Sequence, residues 1–420
     1  MLRKHLRKFG LLALVTAVVV ACASGTTPEG DSPNDAATSG DAITIGALMP
    51  MTGDLQAYGE TCLNGVNLAV EEINAAGGVL GRPLEVSVGD TQTAAQPSID
   101  AAQKLVSVEG VAGIVGALSS GNTIPVAQSV TSSNQVPQIS SASTSPVITT
   151  LEDNDYLFRT VPSDAYQGVA LAQVVQAKGL DNLAIIYVNN DYGEGLADSF
   201  QSAFEAQAGT ITGAVPYEQG QASYRGELQQ LAAEGATALT LIGYPENGIT
   251  ILKQSLEEGF FDTFVFTDGM KAPEVIEAIG AEALEGTFGT APQAATESAA
   301  YETFSKAYNE KFGEVPPKPY IDTSYDAVML LAMAIEQAGS TEGPAVRDAL
   351  RQVANAPGTE INPGEWEKAV TAIENGEDID YTGASGNLEF DQQGDVGGSF
   401  AHWAIENGEI VTVEVFSPQA

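Results

Sequence analysis

The sequence predicts an α/β protein with two similar halves, each a parallel sheet flanked by helices. Three observations point there. Short apolar runs alternate with helix-like periodicity up to about residue 140, and the alternation restarts near residue 183. The apolar runs have strand length and end in small polar or turn-forming residues, as buried parallel strands do. The 420 residues, 44% of them hydrophobic, are enough for two domains of ordinary size.

Residues 43–48 read as the first strand, followed by the loop Met51-Thr52-Gly53-Asp54. The next helix carries Cys62, Val66, Ala69, Val70 and Ile73 on one face, and Gly77-Gly78 ends it. Strands at 84–88, 111–118 and 136–140 are separated by helices at 95–109 and 122–133. The last two strands run into the small-polar clusters Ser119-Ser120-Gly121-Asn122 and Ser141-Ala142-Ser143-Thr144. Neighbouring strand ends of this kind gather hydroxyls and helix N-terminal N–H groups, which suits a carboxylate. Residues 158–164 read as a crossing segment. The second half places strands at 183–188, 211–215, 238–242 and 264–266, with helices near 190–208, 224–234 and 248–258. Helices then follow at 299–312, 320–337 and 343–354, and a loop-rich stretch holds Trp366 and Tyr381. Residues 388–390 read as a short strand, and Asn407-Gly408 marks a terminal hairpin.

Charge and composition exclude several functions. The net charge is −38. Four of the 17 basic residues, Arg3, Lys4, Arg7 and Lys8, precede Cys22; without them the balance is 13 basic against 55 acidic, or −42. Such a surface repels nucleic acid and anionic lipid. The two cysteines, Cys22 and Cys62, allow neither a disulfide framework nor a zinc cluster. His402 is the one histidine beyond the leader and sits in a strand pattern. No P-loop or Gly-x-Ser-x-Gly elbow is present, and pairs such as Glu71-Glu72 and Glu257-Glu258 point different ways on their helices. Neither enzymatic turnover, a cofactor nor a bound metal is expected.

Residues 1–21 have a basic start and an apolar run, the layout of a secretory signal. Val19-Val20-Ala21-Cys22 resembles a bacterial lipobox, which implies cleavage before Cys22, its lipidation and anchoring of the chain outside the cytoplasmic membrane. Residues 22–41 read as a flexible tether.

Several stretches resemble one family: Gly53-Asp54 with Tyr58-Gly59, Val70-Glu71-Glu72-Ile73-Asn74-Ala75-Ala76-Gly77-Gly78, Asp191-Tyr192-Gly193-Glu194-Gly195, Gly243-Tyr244-Pro245-Glu246 and the run 327–338. The chain is similar there to periplasmic substrate-binding proteins of branched-chain amino acid ABC transporters. The resemblance implies two Rossmann-like lobes joined by a three-strand hinge, the type I periplasmic binding fold. Lobe 1 would be 42–161 with 292–390, and lobe 2 would be 162–291 with 391–420. It also implies a monomer that traps an amino acid and presents it to membrane permease subunits.

The resemblance assigns the ligand carboxylate to the hydroxyls of Ser120 and Thr144 and the backbone of Ala142 and Ser143. The ammonium falls to Asp268, with Tyr192 and Tyr244 contacting the ligand from the same lobe. Tyr58, Leu118 and Tyr320 would wall an aliphatic side chain. Two other readings share this fold: a sensor or receptor subunit, and a binding protein for urea or short amides.

Overall fold

The computed structural model describes residues 41–418. The leader, the tether and Cys22 lie outside the described residues. The first lobe is built on a sheet of β1 (Ile43–Met49), β2 (Leu84–Asp90), β3 (Ile114–Gly116), β4 (Gln138–Ser140) and β5 (Leu157–Arg159). Its order is β2-β1-β3-β4-β5, and every pairing is parallel. The second sheet holds β6 (Asn182–Val188), β7 (Thr210–Tyr217), β8 (Ala238–Ile242), β9 (Phe264–Phe266) and β10 (Phe288–Pro292). The chain then forms a small sheet of β11 (Thr359–Ile361), β12 (Ile379–Gly383) and β13 (Gly386–Asn387). It returns to the second sheet with β14 (Phe400–Glu406) and β15 (Glu409–Phe416). The second sheet runs β15-β14-β10-β9-β8-β6-β7, so its parallel part repeats the strand order of the first. The fold is α/β, with two lobes of parallel strands flanked by helices.

Burial follows the pattern that predicts these strands. All five residues of β8 are buried, and both faces of β3, β4 and β9 are closed off. The helix Gln56–Ala75 turns Cys62, Val66, Ala69 and Ile73 into the first core. The helix Ile321–Ala338 packs against it and against β3 and β4, so this later segment completes the first lobe.

The structure departs from the sequence reading in several places, and β10, β11 and β12 are strands that reading did not place. Residues 157–159 pair with β4 as an edge strand, so the crossing starts at Thr160. The 122–133 helix begins at Ser120 and passes into a π-helical turn at Ala127–Thr131. Residues 388–390 are not a strand; the short pairing partner of β12 is Gly386–Asn387. Helices at Asp164–Ala177, Pro273–Ile279 and Trp366–Glu374 were not foreseen. The first is buried around most of its circumference, which removes the one-sided apolar stripe that marks a surface helix. Its start is fixed by Ser163, whose hydroxyl accepts from the Ala165 N–H at 3.3 Å.

The chain passes between the lobes at 160–163, 293–298 and 391–399, and these crossings are tied together. Arg159 pairs with Asp395 through two bonds of 2.6 Å, from Nε and from Nη2, and its backbone N–H donates to the Gly394 carbonyl at 3.0 Å. The Gln293 N–H donates to the Ser399 carbonyl at 3.1 Å, and the Ser399 hydroxyl returns a bond to the Gln293 carbonyl at 2.8 Å.

Candidate functional site

The carboxyl ends of the parallel strands in both lobes face one cleft, where open α/β sheets place their ligands. From the first lobe, β1 leads to Leu55 and Tyr58, β3 to Leu118, Ser119 and Ser120, and β4 to Ala142. From the second, β6 leads to Tyr192, β8 to Tyr244 and β9 to Asp268. A cavity lies between them. Tyr58, Leu118, Ser120, Ala142, Tyr192, Tyr244, Asp268 and Tyr320 line it, together with Leu55, Ser119 and Gly269.

Asp268 is the charged centre of this cavity. It is 3% exposed. Its Oδ1 accepts from the Tyr192 hydroxyl at 2.8 Å and from Gln167 Nε2 at 2.7 Å, and its Oδ2 accepts from the Tyr320 hydroxyl at 2.6 Å. Burial pushes its carboxyl above the ordinary carboxylate range, and the three side-chain donors pull it part of the way back. A second carboxyl, Asp164, is pushed well above its usual value by burial first and by the charge on Asp268 second. Its Oδ1 is buried without a donor among the described residues. Arg159 acts on Asp164 from behind and opposes part of that rise, while Asp268, held by neutral donors alone, presents a buried acceptor that suits an incoming ammonium.

The opposite wall is neutral. Ser120 opens a helix, where the first N–H groups have no intrahelical acceptors. Its hydroxyl oxygen accepts from the Ser145 N–H at 3.2 Å, which leaves the hydroxyl hydrogen for another acceptor. Tyr192 and Tyr244 stack at 5.6 Å with ring planes 13° apart, forming a flat apolar surface. Tyr320 caps its helix with φ of 77°, a left-handed backbone unusual for an aromatic residue. Strain of this kind persists where surrounding contacts enforce it, and here it accompanies the hydroxyl bond to Asp268.

Ser143 and Thr144 do not line the cavity. The Thr144 hydroxyl donates to Asp164 Oδ2 at 2.7 Å, so its one hydrogen is unavailable to a ligand carboxylate. The Ser143 N–H donates to Ser140 Oγ at 3.1 Å, and its hydroxyl faces the Leu118 and Ala117 carbonyls. The sequence reading missed Leu55, Ser119, Gly269, Gln167 and Asp164. Ser119 is the neighbour of an expected residue; Asp164 is signalled only by its place after the capping Ser163.

The two lobes already touch around the cavity. The Ser119 and Tyr244 hydroxyls are 2.8 Å apart, and the Tyr58 hydroxyl reaches the Asp268 and Gly269 carbonyls at 3.2 and 3.1 Å. Gln219 Nε2 donates to Asp54 Oδ2 at 2.7 Å. A methyl group on Gly195 would meet the Pro146 ring across the cleft at 2.8 Å. This is a closed arrangement. Among the described residues no group of side chains could hold a metal ion, and no helix is long and apolar enough to cross a membrane.

Known proteins share this architecture. Residues 42–364 match the model of the periplasmic binding protein family. The Leu/Ile/Val-binding protein BraC3 of Rhizobium johnstonii is 30% identical over 376 residues, 89% of this chain and 94% of its own. The chemotactic signal transduction system substrate-binding protein BasB of Halobacterium salinarum is 26% identical, with 84% of each chain covered. The solved branched-chain amino acid transporter substrate-binding protein LivJ of Streptococcus pneumoniae, in complex with isoleucine, superposes with a TM-score of 0.75 at 25% identity. That match covers 90% of this chain and all of LivJ. The chain belongs to the periplasmic binding protein family, as an extracytoplasmic substrate-binding protein of the branched-chain amino acid ABC transporter type, and is not an enzyme.

Proposed function

We propose that the protein captures a small amino acid with a branched or other apolar side chain and delivers it to an ABC permease. The observation that carries this reading is the pairing of buried Asp268 with a neutral, hydroxyl-bearing wall across one cavity. The ammonium goes to Asp268, with the Asp164 carboxyl behind it. The carboxylate goes to Ser120 and the helix start it opens. Leu118, Tyr58 and the stacked Tyr192 and Tyr244 take the apolar side chain. Ala142 contributes backbone; Ser143 and Thr144 support the loop and orient Asp164.

The open protein exposes the first-lobe half of the site, and the zwitterion lands there first. Closure brings Asp268, Tyr192 and Tyr244 onto it. Because the ligand bonds to both lobes, it favours the closed state; a ligand touching one lobe equally in both states would shift nothing. We take the lobe limits as 42–161 with 292–390, and 162–291 with 391–420; sheet membership supports them except at Pro292, which closes β10 of the second sheet. Cleavage before Cys22 and its lipidation would tether the monomer beside the permease.

Calorimetric titration with leucine, isoleucine and valine tests the reading. Saturable binding that is lost with Asp268→Ala is expected, and binding indifferent to that change would overturn it. The likeness to BasB supports a second reading, in which the closed form is presented to a signalling partner. Uptake that survives deletion of the gene, together with loss of the chemotactic response, would favour it.

A further inference from the structure

A second cavity lies between the lobes. The second lobe contributes Lys271, Ile410 and Thr412 to it, the first contributes Tyr301, Lys318 and Asp322, and Gln293 enters from the crossing between them. With 17 basic residues against 55 acidic, two lysines converging on one cavity is a concentration of a scarce charge.

Their situations differ. Lys318 has its partners: Nζ donates to Glu274 and to the Ala57 carbonyl. Lys271 is 5% exposed, and among the described residues its Nζ meets one acceptor, Gln293 Oε1 at 3.0 Å. An ammonium has three hydrogens to place, and a buried one with a single neutral acceptor is poorly compensated. Burial brings its pKa down to about 8, with Asp322 opposing the shift, so it keeps its proton at pH 7. Asp322 is half-buried, accepts from the Thr323 N–H at 2.9 Å, and is close enough to act on Lys271 without forming an ion pair with it. A positive and a negative group therefore face the same space without touching. The wall beside them is apolar, formed by Phe304, Pro316 and Ile410.

We propose that this cavity is a second binding site for a small zwitterion, whose carboxylate pairs with Lys271 and whose ammonium pairs with Asp322. A single anion or cation would satisfy one of the two groups and be repelled by the other; a molecule carrying both charges satisfies both. Apolar walls admit an aliphatic side chain. The lining comes from both lobes, so occupancy favours the closed arrangement. Lys271 also follows Asp268 by three residues, on the turn Asp268–Met270 and its C-terminal cap, which links the two sites through one short segment.

Equilibrium dialysis with radiolabelled leucine, carried to millimolar concentration, tests this on the full-length protein. Wild type should bind two leucines per chain. Lys271→Met, an unbranched replacement of similar length, and Asp322→Asn should each weaken the second by about tenfold or more and leave the first in place. Asp268→Ala should remove the first and leave the second. A single bound leucine that survives Lys271→Met overturns the proposal, as does no binding at all or a second leucine indifferent to both substitutions. A single leucine lost with Lys271→Met but kept with Asp268→Ala upholds the second site and removes the reading of the first.

Discussion

Asp268→Asn keeps the side chain's shape and deletes its charge. In the ligand-free protein that charge is buried, held by Tyr192, Tyr320 and Gln167, and disfavoured enough to raise its carboxyl above the usual range. In the complex it faces the ligand ammonium. Removing one partner of a buried charge pair costs about 3–5 kcal/mol. At about 1.4 kcal/mol per tenfold, leucine affinity should fall by between about a hundredfold and a few thousandfold. Folding stability should change much less, because the carboxamide keeps the shape of the side chain and an oxygen to accept from the donors that hold it. Calorimetry gives the affinity, and thermal melts with and without leucine give the stability and its ligand increment. A variant that binds leucine within about threefold of wild type, or that melts well below it without ligand, would refute the role given to Asp268.

The same carboxyls make binding pH-dependent. Asp268 and Asp164 have raised folded-state pKa values, so each keeps its proton to higher pH than a free carboxyl. Leucine affinity should fall on acidification before the ordinary carboxylate range is reached, with protons released on binding below neutrality. The ligand-free stability contributed by these two groups runs oppositely, being present at low pH and lost as pH rises through the raised values. Titrations in buffers of different ionisation heat measure the protons released, and a count of zero across pH 5–7 would argue against the pair. Gly195→Leu places a side chain where the Pro146 ring now sits, inside the helix Asp191–Ala206. It should leave the fold as stable or gain up to about 1 kcal/mol, while blocked closure lowers affinity by about tenfold or more; unchanged affinity would show that the contact does not limit closure. Arg159→Met strands the Asp395 carboxylate and should cost about 3–5 kcal/mol in urea unfolding, and adding Asp395→Leu should restore much of it.

The strand-end loops were legible because a buried parallel strand leaves an apolar run, and the residues after it reach the cleft by geometry alone. Ser120, Ala142, Tyr192, Tyr244 and Asp268 all occupy such positions. Tyr320 was legible through resemblance, since its left-handed backbone leaves no mark in composition. The inward turn of Thr144 was not legible, because it depends on Asp164, which arrives from a helix with more than half of its residues buried. Gln167 was hidden for the same reason: its contact with Asp268 spans 101 positions of sequence. The second lysine cavity has no motif at all, being assembled from both lobes where the chain crosses between them.

The ties among the three crossing strands constrain more than stability. Arg159, at the end of β5 just before the first crossing, bonds to the third, and the reciprocal Gln293–Ser399 bonds couple the second to the third. Three separate strands would let one lobe tilt, slide and twist against the other. Bonded to one another, they should resist sliding past each other more than bending together. Fewer relative motions of the lobes then have to be searched to reach the closed pose. Less orientational entropy is lost when the jaws meet, and a solute that would need a skewed grip finds no cheap way to obtain it. Selectivity in such a molecule is partly a property of its axle, set some distance from the pocket where the solute is read.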